Sequence, residues 1–353
     1  MARDIAQLLL ELVDIPSESR SEQAIAEVVA AAVPLPLTHR HEETLLFETP
    51  RRDGRPFVLL AGHLDTVPAQ GNIPGRIEEG VVHGLGASDM KGGLAVMIEL
   101  ARRLADGATP ELDVGFLFFP REELAVEHSP LPALFEAAPR VLEAGLVIVL
   151  EPTDNTIQAG CLGNLNARVV VRGEAAHSAR PWLGRNAIDL ALEKFRPFAA
   201  VPPLDVDVEG LLFREVLSLT QIHGGIAQNV IPDRVEATLN FRYAPTRTPV
   251  QAEARLRELA GDAELEIVSN SPAAHVAAWT PLVERLRAAG EFAVEPKQAW
   301  TPVAEFAAQG LDAVNLGPGA TRYAHRADEQ VEIAALERTL DALLRFVTGS
   351  VSA

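Results

Sequence analysis

"AGHLDTVPAQGN", residues 61–72, closes an apolar run that starts at Phe57 and sets His63 and Asp65 one residue apart. An uninterrupted run of this kind has the character of a strand covered on both faces, as in a parallel α/β sheet. The imidazole and carboxylate at its end admit two readings. They are a hydrogen-bonded core histidine and a turn former, or they mark a site at the carboxyl end of a strand, where ligands gather in open α/β sheets.

The same pattern recurs along the chain. Leu112–Phe119 ends in Pro120-Arg121-Glu122-Glu123, and Leu146–Leu150 ends in Glu151-Pro152. "DAVNLGPG" (312–319) reads as a late strand and turn leading to His325, and "GLGASDMKGG" (84–93) places Asp89 just before a helix starting near Met90. Helical spacing appears between these runs: Ile5, Leu8, Leu9, Leu12 and Val13 first, then Leu94, Met97, Ile98 and Ala101. Ser19 and Glu22 match a capping box for a second helix. The last helix carries Ile333, Leu336, Leu340, Leu343, Leu344 and Val347, with Gly349 in the C-cap position.

The middle of the chain changes character. "LNARVVVRG" alternates like a half-exposed strand, "NAIDLALEKF" is helical, and "VLSLTQIHGG" and "VIPDRVEATLNFRYAP" read as antiparallel strands. Thr248, Pro249 and Gln251 open a further helix, and "AELEIVSN" returns as a strand. The order β-α-β-β-α-β predicts a ferredoxin-like α/β sandwich inserted at residues 162–272, within an α/β domain built from 1–161 and 273–353.

Composition narrows the function classes. The 353 residues suffice for two domains, and 48 % hydrophobic with 23 % charged residues is ordinary for a globular protein. A formal charge of -18 argues against nucleic acid as a partner, because phosphate binding needs a concentrated basic face. The lone cysteine, Cys161, excludes an internal disulfide and fits a reducing compartment. The first apolar run is broken by Glu11 and Asp14, and nothing approaches the ~20 apolar residues of a membrane span. A cytoplasmic protein with no membrane partner is expected.

Two histidines and several carboxylates thus converge on one sheet edge. Unpaired buried charges cost several kcal/mol each, and a bound metal would offset them. Imidazole and carboxylate without thiolate suit zinc, cobalt or manganese, with zinc the commonest catalytic case. Five ligand candidates exceed one catalytic site and point to two ions, with Asp89 suited to bridge them beside Gly92 and Gly93. "GLGASDMKGG" as a phosphate loop is disfavoured, since it lacks the third glycine of the dinucleotide pattern and its Asp would repel phosphate. Of the adjacent Glu122 and Glu123, one can bind metal while the other accepts a proton from water. A solvated acidic pair is the alternative. No Gly-x-Ser-x-Gly elbow occurs, which disfavours a serine hydrolase.

Taken together, "GHLDTVP", "GLGASDMKGG", "FPREEL", "VLEPTDN" and "AHRADE" resemble the co-catalytic zinc amidohydrolases and metallopeptidases. That family includes aminoacylases, acetylornithine deacetylase, glutamate carboxypeptidases and succinyl-diaminopimelate desuccinylase. The resemblance runs in family order over nearly the whole chain. It implies that His63, Asp89 and Glu151 hold one zinc and that Asp89, Glu123 and His325 hold the other. Glu122 is then the general base for a water between the metals, and Asp65 steers His63. "AAHSARPWLGRNAID" is similar to the family's lid segment, so His177 would reach a partner subunit's site and donate to the oxyanion. "GGIAQNVIPDRVEATLNFRYAP" would supply Asn229 and Arg242 to the substrate. For these three the alternative is two turn residues and a strand-surface charge. The insert is expected to serve as lid and homodimer contact.

Within the family, "AHSARPWLGRNAI", "NVIPDRVEATLNFRYAP" and "AVNLGPG" are most similar to the compact actinobacterial desuccinylase branch. This implies N-succinyl-LL-2,6-diaminopimelate as a small-molecule substrate. An N-acetyl-amino-acid deacetylase, a glutamate-type carboxypeptidase and a non-catalytic zinc-binding interaction protein are the rivals. Pro302 departs from the pattern, standing where an acidic residue is expected after Thr301.

Overall fold

The computed structural model describes residues 4–349. The ends of the expected catalytic segments, residues 1–3 and 350–353, lie outside the described residues. Two compact units result: residues 4–159, 277–295 and 305–349 form one, and residues 160–276 with 296–304 form the other. The stretch 296–304, expected from the sequence in the catalytic part, groups with the second unit.

The first unit is an α/β body around an eight-stranded sheet. Its centre is parallel: Phe57–His63 lies between Asp113–Phe119 and Leu146–Val149, and Ala313–Asn315 pairs parallel beyond the latter. Antiparallel strands Thr44–Glu48 and Leu37–His41 extend one side, and Ile157–Ala159 pairs antiparallel on the other. Every residue of the three central strands is buried, Asp113 and His63 at strand ends included, as largely apolar runs covered on both faces should be. Helices Ile5–Val13, Lys91–Ala105 and Ile333–Thr348 pack against one another. The last ends at Gly349, whose φ of 68° is the left-handed C-cap conformation expected.

Register places the site. Ala61 pairs with Val149 and His63 with Phe119, so Glu151 and the turn holding Glu122 and Glu123 emerge beside His63 at the carboxyl edge. Gly92 and Gly93 seat the helix that follows Asp89. A Cβ on Gly92 would lie 2.6 Å from the Ala87 carbonyl oxygen, and one on Gly93 2.6 Å from that of Leu150. These glycines admit backbone into the helix start, drawing Asp89 against the strand end that precedes Glu151.

One expectation fails. The second helix spans Gln23–Ala32 without a side-chain cap, so Ser19 and Glu22 form no capping box. Tertiary partners take both groups: the Ser19 hydroxyl donates to Asp65, and Glu22 accepts the Arg121 N–H.

The second unit is a five-stranded antiparallel sheet ordered Leu204–Val208, Leu211–Gly224, Arg234–Tyr243, Gly163–Arg172, Glu264–Ser271. Its last four strands and the helices Ala187–Lys194 and Pro249–Ala260 give the ferredoxin-like order, to which Leu204–Val208 adds an edge strand. Thr248 and Gln251 form the expected capping box, with Pro249 at the first helical position. Leu165, Ala167, Val169, Leu239, Phe241 and Tyr243 face the helices in one core. Asn164, Asn166, Asn240 and Arg242 alternate with them and are only partly buried.

Candidate metal and catalytic site

Six ionisable side chains meet at the carboxyl edge of the large sheet. His63 ends its strand fully buried, and its Nε2 lies 3.2 Å from Asp89 Oδ1, 3.6 Å from Glu151 Oε1 and 4.0 Å from Glu122 Oε2. His325 Nε2 stands 3.5 Å from the other Asp89 oxygen and 3.0 Å from Glu123 Oε2. Asp89 therefore shares its carboxylate between two imidazoles, one oxygen to each. Ligand atoms of His63, Asp89 and Glu123 lie within 4.8 Å of one another, as do those of His63, Glu122 and Glu151. Arg121 and His325 take left-handed backbone, with φ of 67° and 61°, which is uncommon without glycine and turns the chain sharply next to the acidic groups.

Burial and neighbouring charges shift the protonation of these groups. Burial opposes a charge on His63, but Asp65, Asp89 and Glu122 outweigh it and hold the imidazole well above its ordinary pKa. Hydrogen bonds to Asp89 and Glu123 raise His325 to about 10. Burial works against charge on Asp89 too, yet both imidazoles keep its pKa below the usual carboxylate range. Burial, and next the charge of Glu151, push Glu122 well above that range. Four carboxylates thus surround two imidazoles, and the protons those rings hold supply positive charge between the carboxylates. An all-oxygen and imidazole donor set with one carboxylate spanning both histidines fits two divalent cations.

Asp65 lies beside His63 and bonds to the acidic dipeptide as well. The His63 Nδ1 contact at 3.0 Å is to the backbone carbonyl of Asp65, while the carboxylate is 3.5 Å away. That carboxylate accepts the N–H groups of Glu122 and Glu123, both at 3.0 Å, and the Ser19 hydroxyl at 2.7 Å. Asp65 thus anchors the acidic dipeptide as well as facing the imidazole.

Glu329 is the residue that sequence reasoning missed. It is buried, and its carboxylate accepts three backbone N–H groups, from Gly86 at 2.9 Å, Ser88 at 3.0 Å and Asp89 at 2.9 Å. A strand at Gln330–Glu332, paired with Val81–His83, delivers it beside that turn. The only signal was its place at the end of "AHRADE", four residues after His325.

The other three expected residues belong to the second unit. His177 is exposed in a short strand whose partner is Val230, its Nδ1 accepts the Ala179 N–H, and Ser178 N–H donates to the Asn229 carbonyl. The fold therefore brings His177 and Asn229 together. Arg242 lies elsewhere, on the strand Arg234–Tyr243, with its Nε–H donated to Asn240 Oδ1 at 2.9 Å. Thr301 and Pro302 are buried at the start of the helix Val303–Ala308.

The chain is similar to known proteins over nearly its whole length. The family model for peptidase family M20/M25/M40 matches residues 59–349. A Mycobacterium tuberculosis protein that carries the name succinyl-diaminopimelate desuccinylase DapE is 38 % identical, covering 98 % of each chain. The succinyl-diaminopimelate desuccinylase of Corynebacterium glutamicum is 34 % identical over 97 % of this chain and 95 % of its own. Among solved structures, aminopeptidase PepT from Bacillus cereus superposes with a TM-score of 0.79 at 21 % identity, covering 98 % of this chain and 97 % of that one. At that identity the likeness speaks for the fold alone.

Proposed function

The chain belongs to peptidase family M20/M25/M40 and is a hydrolase acting on amides, and from that premise we propose that it removes succinate from N-succinyl-LL-2,6-diaminopimelate. End-to-end similarity to two proteins bearing the desuccinylase name supports the substrate. The observation that carries the chemistry is the Asp89 carboxylate divided between His63 and His325, with Glu122 alongside.

His63, Asp89 and Glu151 would hold one ion and Asp89, Glu123 and His325 the other, with zinc the first choice. Two divalent ions there would polarise the amide carbonyl and ease ionisation of water. Glu122 does the proton work. Burial and the Glu151 charge raise its affinity for a proton, which suits a base that must take one from water and return it to the leaving amine. Asp65 keeps Glu122 and Glu123 on their separate tasks by holding both backbone N–H groups. His177, reaching across a homodimer formed through the insert, would donate to the oxyanion. Asn229 would orient the substrate, and Arg242 would take a substrate carboxylate. A cytoplasmic location accords with the single cysteine and with the absence, among the described residues, of a helix able to cross a membrane.

Pro302 favours a second reading at the level of the acyl group, a deacetylase or carboxypeptidase on the same machinery. Metal analysis with a panel of N-succinyl, N-acetyl and dipeptide substrates separates the two. Succinyl-diaminopimelate is expected to turn over fastest with two metals bound, and equal or slower turnover than the rest of the panel overturns the substrate.

A further inference from the structure

Arg242 is an arginine without an acid. Nearby in the same unit, Arg168, Arg172, Arg234 and Arg247 each pair with a glutamate, namely Glu266, Glu264, Glu236 and Glu215. Arg242 has no carboxylate partner among the described residues, in a chain with 49 acids and 31 bases. It is partly buried, and burial draws its pKa below the ordinary arginine value. A half-desolvated guanidinium with no internal anion is one whose anion comes from outside.

What holds it is amide, not acid. Asn240 and Arg242 share the face of their strand away from the helix-covered core, with Asn166 paired opposite Asn240 and Asn164 opposite Arg242. Asn240 Nδ2 donates at 2.8 Å to both Asn164 Oδ1 and Asn166 Oδ1, and Asn166 Nδ2 donates to Ser269 Oγ at 3.0 Å. With its amide nitrogen engaged twice, Asn240 can only turn Oδ1 toward Arg242, where it accepts the Nε–H. Three asparagines and a serine on three strands thus fix one guanidinium edge without neutralising it. A carboxylate in place of Asn240 would fix the edge equally well and cancel the charge.

The geometry points to Asn240 as a positioning residue that commits Nε of Arg242 to the protein and leaves its two Nη groups to grip a substrate carboxylate end-on. The inference rests on the Arg242 role proposed above and adds the mode of binding and the reason for an amide neighbour. A side-on grip through Nε and one Nη is excluded while Asn240 holds Nε.

The test uses the full-length, zinc-loaded protein in two arms. In the first, the Arg242 Nε–H is followed by nitrogen-15 NMR, assigned with Arg242→Lys. Slow exchange in the parent and at least fivefold faster exchange in Asn240→Leu are expected, whereas equal rates overturn the relay. The second arm takes the best substrate of the panel and its carboxamide analogues. Asn240→Asp supplies an internal counter-ion, so KM for the carboxylate substrate should rise about tenfold with kcat nearly unchanged. One carboxamide analogue should show no such rise. An equal rise for every analogue, or none for the carboxylate substrate, overturns the end-on grip. If nothing in the panel turns over, the functional reading has failed while the exchange rates still decide the relay.

Discussion

Glu329 accepts the backbone N–H of Asp89 at 2.9 Å, with the N–H groups of Ser88 and Gly86 on the same carboxylate. A buried carboxylate bonded to three backbone N–H groups therefore sets the turn that presents the expected bridging residue. Glutamine keeps the size but replaces one acceptor oxygen with a donor, facing an N–H with an N–H. Glu329→Gln is expected to weaken zinc binding about tenfold to a hundredfold, as loss of a support behind a ligand does elsewhere. Calorimetric zinc titration of the metal-free protein measures it. Unchanged affinity would mean that the turn holds Asp89 without Glu329.

How much of the site is legible in the sequence depends on what each residue touches. His63 ends a buried strand and Glu122, Glu123 and Glu151 follow two others closely, and largely apolar runs mark such strands in the sequence itself. Glu329 has no comparable signature, because a carboxylate that binds backbone N–H looks in sequence like one that binds metal. Ser19 and Glu22 mislead for a related reason. Ser-x-x-Glu is a local pattern, and its groups bond instead to Asp65 and Arg121, 46 and 99 residues away. The edge strand Leu204–Val208 escapes a sequence reading because it is short and exposed. The asparagine ladder beside Arg242 exists only once the register of three strands is set.

Asp65 should matter more for its carboxylate's hold on Glu122 and Glu123 than its place beside His63 suggests. Asp65→Asn loses one of the two acceptor oxygens and opposes a backbone N–H with an amide donor. A fall in kcat of about tenfold to a hundredfold is expected. Ser19→Ala removes one hydrogen bond of three, about 1 kcal/mol, and should cost about fivefold. Steady-state kinetics on both variants tests the order. Full activity in Asp65→Asn would show that the dipeptide needs no anchor.

Glu122→Gln separates metal binding from proton transfer. If Glu122 only moves protons, the variant retains both metals by elemental analysis and loses about a thousandfold in kcat. Should it lose one metal, Glu122 is a ligand, which its 4.0 Å approach to His63 Nε2 and its place within 4.8 Å of Glu151 make a sharp alternative.

Glu305 carries the pH dependence of stability most cleanly, because it lies outside the acidic cluster. Its carboxyl accepts the Ser129 hydroxyl at 3.0 Å, and burial raises its pKa from 4.5 to about 7. A carboxyl whose pKa is higher in the folded than in the unfolded chain binds a proton on folding. Its contribution therefore favours the fold at low pH, declines between about 4.5 and about 7, and is constant above. Glu305→Gln removes that decline. At pH 8 the variant should melt higher than the parent by about 2 °C, from a gain on the order of 1 kcal/mol after allowance for partial exposure. At pH 5 most of the difference should vanish. Thermal denaturation of the two proteins at both pH values is the measurement, and an equal Tm difference at pH 5 and pH 8 would show that Glu305 is not the titrating group.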